Sequence, residues 1–476
     1  MQHSISLRSP QKHTHTHSPS LPPSLSLSLS LSIYIYIYIY IMEDEPHDEH
    51  SLTVPFILDN GGNQHQLNEE EVERGESVSE HQSAGTTSFS KTCFNGLNVM
   101  SGLGILSVPY ALASGGWLSL ILLFVIAIAA FYTGLLIKRC MDMDPNIRTY
   151  PDIGDGAFGS KGRLLVSIFM NTELYLVATG FLILEGDNLD NLLPHMGIEI
   201  GGLKISGKQS FVVIVGLITM PTVWLDNMSI LSYVSATGVL ASLVILGSIL
   251  WVGAFDGVGF NQKGMILNWN GLPIAVSLYA FCYCAHPVLP TLYTSMKKKH
   301  QFSKVLLICF VICTISYASM AILGYLMFGS DLQSQITLNL PTEKVSSRVA
   351  ICTTLVTPIC KYALMVKPIV HAIENRLHRY CNKRPFSLIL IRTILVMSTI
   401  VVAVTVPFFG YLMSLVGAFL SVTASFLLPC FCYLKISGAY QRLGFELLII
   451  IVIVLMGIST VLIGTYTSLV EIIAHL

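Results

Sequence analysis

The chain has 476 residues, 53% of them hydrophobic and 12% charged, with a mean hydropathy of +0.65. That composition is far too apolar for a soluble domain of this length, so the bilayer is its natural solvent, and no nucleic-acid partner is expected. The formal net charge of −1 conceals a segregation in which acidic residues crowd the N-terminal tail while Lys and Arg sit in a few short loops.

The first segment, residues 1–41, is built from dipeptide alternations. His13-Thr14-His15-Thr16-His17, Ser-Leu repeats from Ser24 to Ser32 and Ile-Tyr repeats from Ile33 to Ile41 follow one another. CA, TC and AT dinucleotide repeats encode these three patterns, so the expectation is translated untranslated-region sequence with Met42 as the start. A secretory signal fits poorly, because the apolar stretch is β-patterned and lacks a small-residue cleavage site. Residues 42–88 hold twelve acidic residues between Glu43 and Glu80 against Arg74 alone, which predicts a disordered, cytosolic acidic tail.

Residues 89–476 read as an all-α polytopic membrane domain. A helix needs about 20 apolar residues to cross about 30 Å of hydrocarbon. Runs of that kind are Phe89 to Ala113, Leu118 to Ile137, Leu164 to Leu184, Phe211 to Val223, Ile230 to Phe255, Leu272 to Tyr293, Val305 to Phe328, Val349 to Val370, Leu388 to Val406, Phe408 to Leu434 and Leu447 to Val470. They predict eleven transmembrane helices, the fourth of them short. Placing the N-terminus in the cytosol puts fifteen Lys and Arg residues in the inside loops against five outside, and leaves the C-terminus on the far side. The loop from Met220 to Ser229 holds neither Lys nor Arg. The eleven Cys lie in apolar runs or beside basic loops, and imply neither a disulfide framework nor a metal site at Cys282-x-Cys284 or Cys430-x-Cys432.

Two spans are interrupted. In the first, Gly102, Gly104 and Pro109 fall mid-membrane; each Gly weakens a helix by roughly 1 kcal/mol and Pro by about 3. In lipid, freed backbone groups persist only where they face protein or a water-filled cavity. Close packing against a neighbouring helix is the plain alternative. The sixth span breaks in the same way through Tyr283, Cys284, Ala285, His286 and Pro287, with Pro290 five residues after Ala285 just as Pro109 is five after Gly104. Paired interruptions in two five-helix halves point to an inverted-repeat transporter, in which the N–H groups at a half-helix start suit a substrate carboxylate.

Ionisable residues within the spans are Glu173, His286, Lys361, Lys367 and Arg392. Arg392 and Lys367 are expected to snorkel to the cytosolic interface. His286 is a candidate for proton coupling; the alternative is a neutral ring bonded to a carbonyl freed by Pro290. Glu173 and Lys361 are candidates to pair or to gate protons separately. Thr353, Thr354 and Thr357 share one neighbourhood and are candidate Na⁺ ligands, unless their hydroxyls bond back to their own helix. Asp142, Asp144, Asp152 and Asp155 read as a solvated, Pro-broken connector, so a membrane enzyme ranks last.

The strings CFNGLNVMSGLGILSVPYALASGGW, TYPDIGDGAFG, ILEGDNLDNLLP, MPTVWLDNMSILSY, SLYAFCYCAHPVLPTLY and PFFGYLMSLVGAFLSVTASFLLPCFCYLKI resemble the vacuolar amino acid transporter branch of the amino acid/auxin permease family, from Phe89 to the C-terminus. The resemblance implies eleven helices in a leucine-transporter-like five-plus-five inverted repeat with one extra helix. It implies proton-coupled carriage of neutral amino acids at the vacuolar membrane, with no cofactor. Backbone around Met100, Ser101, Gly102, Leu103 and Gly104 would then hold the substrate's α-amino and carboxylate groups, and Tyr283, Cys284, Ala285 and His286 would line the facing wall. This chain departs from the family at Ala285, where Gly is usual, at Pro287, where a small residue is usual, and at Asp226, where a basic residue is expected. An amino acid receptor signalling through the acidic tail, and a Na⁺-coupled or plasma-membrane carrier, are the competing readings.

Overall fold

The computed structural model describes residues 87–194, 198–200, 203–224, 229–377, 385–406, 408–441 and 444–475. The expectations for residues 1–41, for the acidic tail up to residue 86 and for Asp226 lie outside the described residues.

Among the described residues the regular structure is helical apart from one two-stranded ribbon, β1 (Ile198–Ile200) antiparallel to β2 (Leu203–Ile205). In chain order come α1 (Phe89–Met100), α2 (Gly104–Gly115), α3 (Ser119–Met143), α4 (Tyr150–Phe158), α5 (Ser160–Leu192), α6 (Gly207–Trp224), α7 (Ser229–Phe255), α8 (Leu272–Cys282) and α9 (Leu289–Ser295). There follow α10 (Phe302–Phe328), α11 (Val345–Leu377), α12 (Pro385–Thr405), α13 (Phe409–Leu415), α14 (Leu428–Ser437) and α15 (Phe445–His475). Two stretches of π-helix, Val416–Ser421 and Thr423–Leu427, join α13 to α14.

Every run expected to span coincides with helix, but the count differs. Among the described residues eight helices are long and apolar enough to cross a membrane, or nine if the bent pair α1–α2 is one span. One shortfall has a physical cause: α6 opens on Lys208-Gln209-Ser210 and contains Pro221. Helix α12 runs 21 residues, Pro385–Thr405, with an apolar stretch at Ile389–Thr405.

Contacts sort the helix ends into two groups. At one end Thr87 N–H donates to the Ser295 carbonyl (2.9 Å), Tyr293 donates to Asp142 (2.5 Å), and Arg139 pairs with Glu446 at the start of α15. At the other, Trp117 Nε1 donates to the Lys263 carbonyl (2.8 Å), Asn188 donates to Gln335 (2.7 Å) and the His475 ring sits 5.0 Å from that of Tyr411. Thr87 and the end of α15 therefore lie at opposite ends of the bundle.

The connector containing Asp152 and Asp155 is a packed helix rather than a solvated loop. Thr149 and Asp152 form a reciprocal capping box and Pro151 falls in the first turn, where its missing N–H costs nothing. Tyr150, Ile153 and Ala157 bury one face. Gly154 and Gly162 bring α4 so close to α5 that a Cβ on Gly154 would lie 2.5 Å from the Gly162 carbonyl oxygen. Asp152, only 9% exposed, pairs with Arg163 at 2.7 Å.

Candidate functional site

The first break is a tight turn. Helix α1 ends at Met100, and Ser101, at φ −74° and ψ 68°, closes an inverse γ-turn in which Gly102 N–H donates to the Met100 carbonyl (2.8 Å). Helix α2 then starts at Gly104, inclined 50° to α1. The break leaves α1 with terminal carbonyls and α2 with first-turn N–H groups that have no helical partner.

The second break repeats this pattern. Helix α8 ends at Cys282, Ala285 N–H donates to the Tyr283 carbonyl (2.9 Å), and a 3₁₀ turn, His286–Val288, leads into α9. Pro287 occupies the first turn of that 3₁₀ segment, where the loss of an N–H is tolerated.

The two breaks touch. A Cβ on Gly104 would lie 2.8 Å from Cys282 Sγ and 3.0 Å from Cys282 Cα, so only glycine permits this approach without displacement. A Cβ on Gly102, by contrast, would meet nothing within 4 Å. The Tyr317 hydroxyl, from α10, is within reach of both terminal carbonyls, that of Met100 and that of Cys282 (3.2 Å). The Ser101 hydroxyl is buried without a hydrogen-bond partner.

Lys361 sits 4% exposed in the middle of α11. Its ammonium donates to the Asn98 carbonyl (3.1 Å) and the Ser101 carbonyl (2.8 Å), placing a positive charge at the negative end of α1. Gly238 in α7 makes room for this arrangement: a Cβ there would collide with Asn98 Oδ1 and lie 3.4 Å from Lys361 Cε.

The other sequence candidates go elsewhere. Glu173 is buried, accepts a hydrogen bond from Ser421 (2.5 Å) in the first π-helical stretch, and lies beside Cys284, so Glu173 and Lys361 have different partners. His286 is fully buried, with Nε2 3.0 Å from the Ala130 carbonyl and 2.9 Å from Thr133 Oγ1. A carbonyl only accepts, so Nε2 carries the proton and donates. That carbonyl belongs to α3, not to the backbone freed by Pro290. Tyr283 turns to α10, where its hydroxyl donates to Thr314 (2.9 Å) and its ring stacks on Phe310. Ala285, Met100 and Leu103 are buried at the breaks. Thr353, Thr354 and Thr357 donate to the carbonyls of Val349, Ala350 and Thr353, one turn back on their own helix.

Arg392 does not snorkel: it is 5% exposed, paired with Glu374 at 2.9 Å and bonded to the Trp224 carbonyl at 3.0 Å. An acidic partner on α11 removes the need to reach the interface. Lys367 is buried as well.

The chain matches the family described as "Transmembrane amino acid transporter protein" over residues 85–470. Amino acid transporter AVT1J of Arabidopsis thaliana is 61% identical over 426 residues, covering 89% of this chain and 98% of the relative. AVT1I of the same plant is 61% identical over 389 residues, with 82% and 96% covered, and AVT1B is 45% identical over 390, with 82% and 72% covered. A Na⁺-coupled sialic acid symporter superposes with a TM-score of 0.47 at 11% identity, over 94% of this chain and 97% of that one, a likeness too faint to bear on fold or function. The match over residues 85–470 and the extent of these identities establish that the chain belongs to the transmembrane amino acid transporter protein family.

Proposed function

We propose that the chain is a secondary active transporter of neutral amino acids across the vacuolar membrane, driven by protons, with alternating access around the α1–α2 and α8–α9 breaks. The observation that carries this reading is the Tyr317 hydroxyl within reach of the terminal carbonyls of both α1 and α8, beside the open space at Gly102. Half-helix ends drawn from two distant parts of the chain thus meet in one neighbourhood. The relatives AVT1J, AVT1I and AVT1B are themselves named amino acid transporters.

Recognition follows from the geometry. First-turn N–H groups of α2 take the substrate carboxylate, and the Met100 and Cys282 carbonyls, which Lys361 does not engage, take the α-ammonium. Met100, Ser101, Gly102, Leu103 and Gly104 form one wall, and Tyr283, Cys284, Ala285 and His286 the other. Lys361 and Glu173, the charged groups nearest the breaks, are engaged with protein, which fits an uncharged substrate side chain.

The coupling ion in this reading is H⁺, with Glu173, His286 and Lys361 in candidate positions. Sodium is disfavoured because the Lys361 ammonium fills the carbonyl pair a cation would seek, while the Thr353 and Thr354 hydroxyls turn to their own backbone. The reading includes eleven spans, a five-plus-five inverted repeat with one extra helix, a cytosolic N-terminus and a lumenal C-terminus. Its support is the gathering of Lys138, Arg139, Arg163, Lys297, Lys298, Lys299 and Lys435 at the Thr87 end of the bundle.

The test is competition uptake in purified vacuolar vesicles with a panel of amino acids, with and without a proton ionophore. Uptake that neutral amino acids compete for, that the ionophore abolishes and that survives replacement of Na⁺ by choline is expected. Absence of gradient-dependent flux with every neutral amino acid contradicts the proposal.

A further inference from the structure

Glu185 lies one residue beyond the expected end of the third span and inside α5, where it is 1% exposed. Its Oε1 is buried without a hydrogen-bond partner, and no ion pair reaches the carboxyl among the described residues. An ionised carboxylate so placed is strongly destabilised, whereas the neutral acid is not.

The surroundings are polar and incompletely satisfied. One turn on, Asn188 Nδ2 donates to the Leu184 carbonyl (2.8 Å) and to Gln335 Oε1 (2.7 Å), which leaves Asn188 Oδ1 buried and unpaired. Gln335 Nε2 donates to Asp187 (2.8 Å), and Asp187 pairs with Lys208 at the start of α6. Asn191 donates to the Thr337 carbonyl (3.4 Å), and the Thr337 hydroxyl is a third unpaired buried group. Glu185 and Asn188 stand three residues apart on one helix, both offering an acceptor without a donor. A protonated carboxyl can donate as well as accept.

The titratable groups on the elements packed against this end of α5 are few. Among the described residues they are Asp187 and Asp190 on α5, Lys208 on α6, Glu343 and Lys344 just before α11, Arg348 in its first turn, and Tyr411 on α13; the described residues of the 335–339 segment and of the end of α12 carry none. Lys208 is held by Asp187, and Arg348 donates to the Thr342 carbonyl (2.7 Å). Among the described residues none of them ion-pairs with Glu185. Five residues back on α5, Gly180 meets Leu103 of the first break, which is about 7.5 Å along the helix axis.

We propose that Glu185 is the group that carries the coupled proton, an inference that rests on the proton-driven reading above. In this conformation the carboxyl is sealed and holds H⁺ as the neutral acid. When the 335–339 segment parts from the end of α5, the Asn188, Gln335, Asp187 and Lys208 network conducts water to it. The acid then ionises, returning one proton to that side of the membrane. Nothing but the proton is exchanged.

The test reconstitutes the full chain in liposomes and follows a mixture of tritiated alanine, serine, leucine, glutamine and tyrosine. Two assays are run, uptake under an imposed pH gradient and counterflow exchange without one. Wild type is expected to show both. Glu185→Gln, which mimics the neutral acid, is expected to keep counterflow within about threefold of wild type and to lose at least tenfold of the gradient stimulation. Glu185→Asp, which retains a titratable group, is expected to keep gradient stimulation with a shifted pH midpoint. Full gradient stimulation in Glu185→Gln overturns the proposal while leaving proton coupling intact. So does an unshifted midpoint in Glu185→Asp, which decides the matter if the glutamine variant fails to insert. A wild type that exchanges amino acids but ignores the gradient overturns proton coupling itself, and this proposal with it.

Discussion

Lys361 Nζ lies 2.8 Å from the carbonyl oxygen of Ser101, so a cation from α11 neutralises the end of the first half-helix. A hydrogen bond to a charged group contributes about 1.5–3 kcal/mol. Lys361→Met removes two such bonds and strands the Asn98 and Ser101 carbonyls away from water. Initial uptake rates in proteoliposomes are expected to fall at least about tenfold, with membrane insertion unchanged, and an unaltered rate removes Lys361 from the account.

Tyr317 stands at the point where the breaks meet. Tyr317→Phe keeps the ring and deletes the one donor available to both Met100 and Cys282. The Met100 carbonyl keeps its bond from Gly102 N–H, and leaving the buried Cys282 carbonyl without this donor costs about 1–3 kcal/mol, so the variant is expected to fold and to transport roughly tenfold more slowly. Uptake kinetics on the purified variant decide the matter: a rate equal to wild type means that the hydroxyl does not hold the breaks together.

Gly102 and Gly104 are two residues apart and predict opposite defects. Gly102→Leu projects into open space and is expected to abolish amino acid binding while the protein stays membrane-inserted and as thermally stable as wild type. Gly104→Ala drives a methyl into Cys282, an overpacking that costs about 1–3 kcal/mol. It is expected to lower the melting temperature. Binding and thermal unfolding measured on both variants separate the roles, and the reverse pattern refutes the placement of the open side.

Arg392 and Glu374 form a buried pair between α12 and α11. Breaking a fully buried pair from one side costs about 3–5 kcal/mol; Glu374, 14% exposed and with His371 Nδ1 3.7 Å away, is less isolated than that. Arg392→Met is expected to lower the thermal stability of the detergent-solubilised protein by less than that figure, and Arg392→Met with Glu374→Met to recover much of the loss. Equal stabilities of wild type and the single variant would show the pair to be inert.

The helical runs and both breaks are legible in the sequence because hydropathy and Gly/Pro placement act locally. What the sequence hid is mostly tertiary. Tyr317 sits in an unremarkable apolar run, and nothing local says that its hydroxyl reaches two carbonyls from different helices. The acceptor for His286 lies on α3, more than 150 residues away in the chain. Arg392 reads as a snorkelling residue until Glu374 is seen beside it. The π-helical stretch that presents Ser421 to Glu173 leaves no composition signal. Two features are local. Thr149-x-x-Asp152 with Pro151 is a helix-start pattern, because a proline in the first turn opens a helix rather than breaking one. Glu185 stands one residue past the apolar run that ends at Leu184, whereas α5 continues to Leu192, so hydropathy alone places this buried acid outside the span.

Whether the amino acid occupies the space at Gly102 between the two breaks is tested most directly by Gly102→Cys in the full chain, treated with a membrane-permeant thiol reagent and read by mass spectrometry of the peptide containing residue 102, which separates it from the native cysteines. Modification at residue 102 that a saturating mixture of neutral amino acids suppresses is expected. Modification indifferent to the amino acids, or none at all in an inserted protein, contradicts that occupancy.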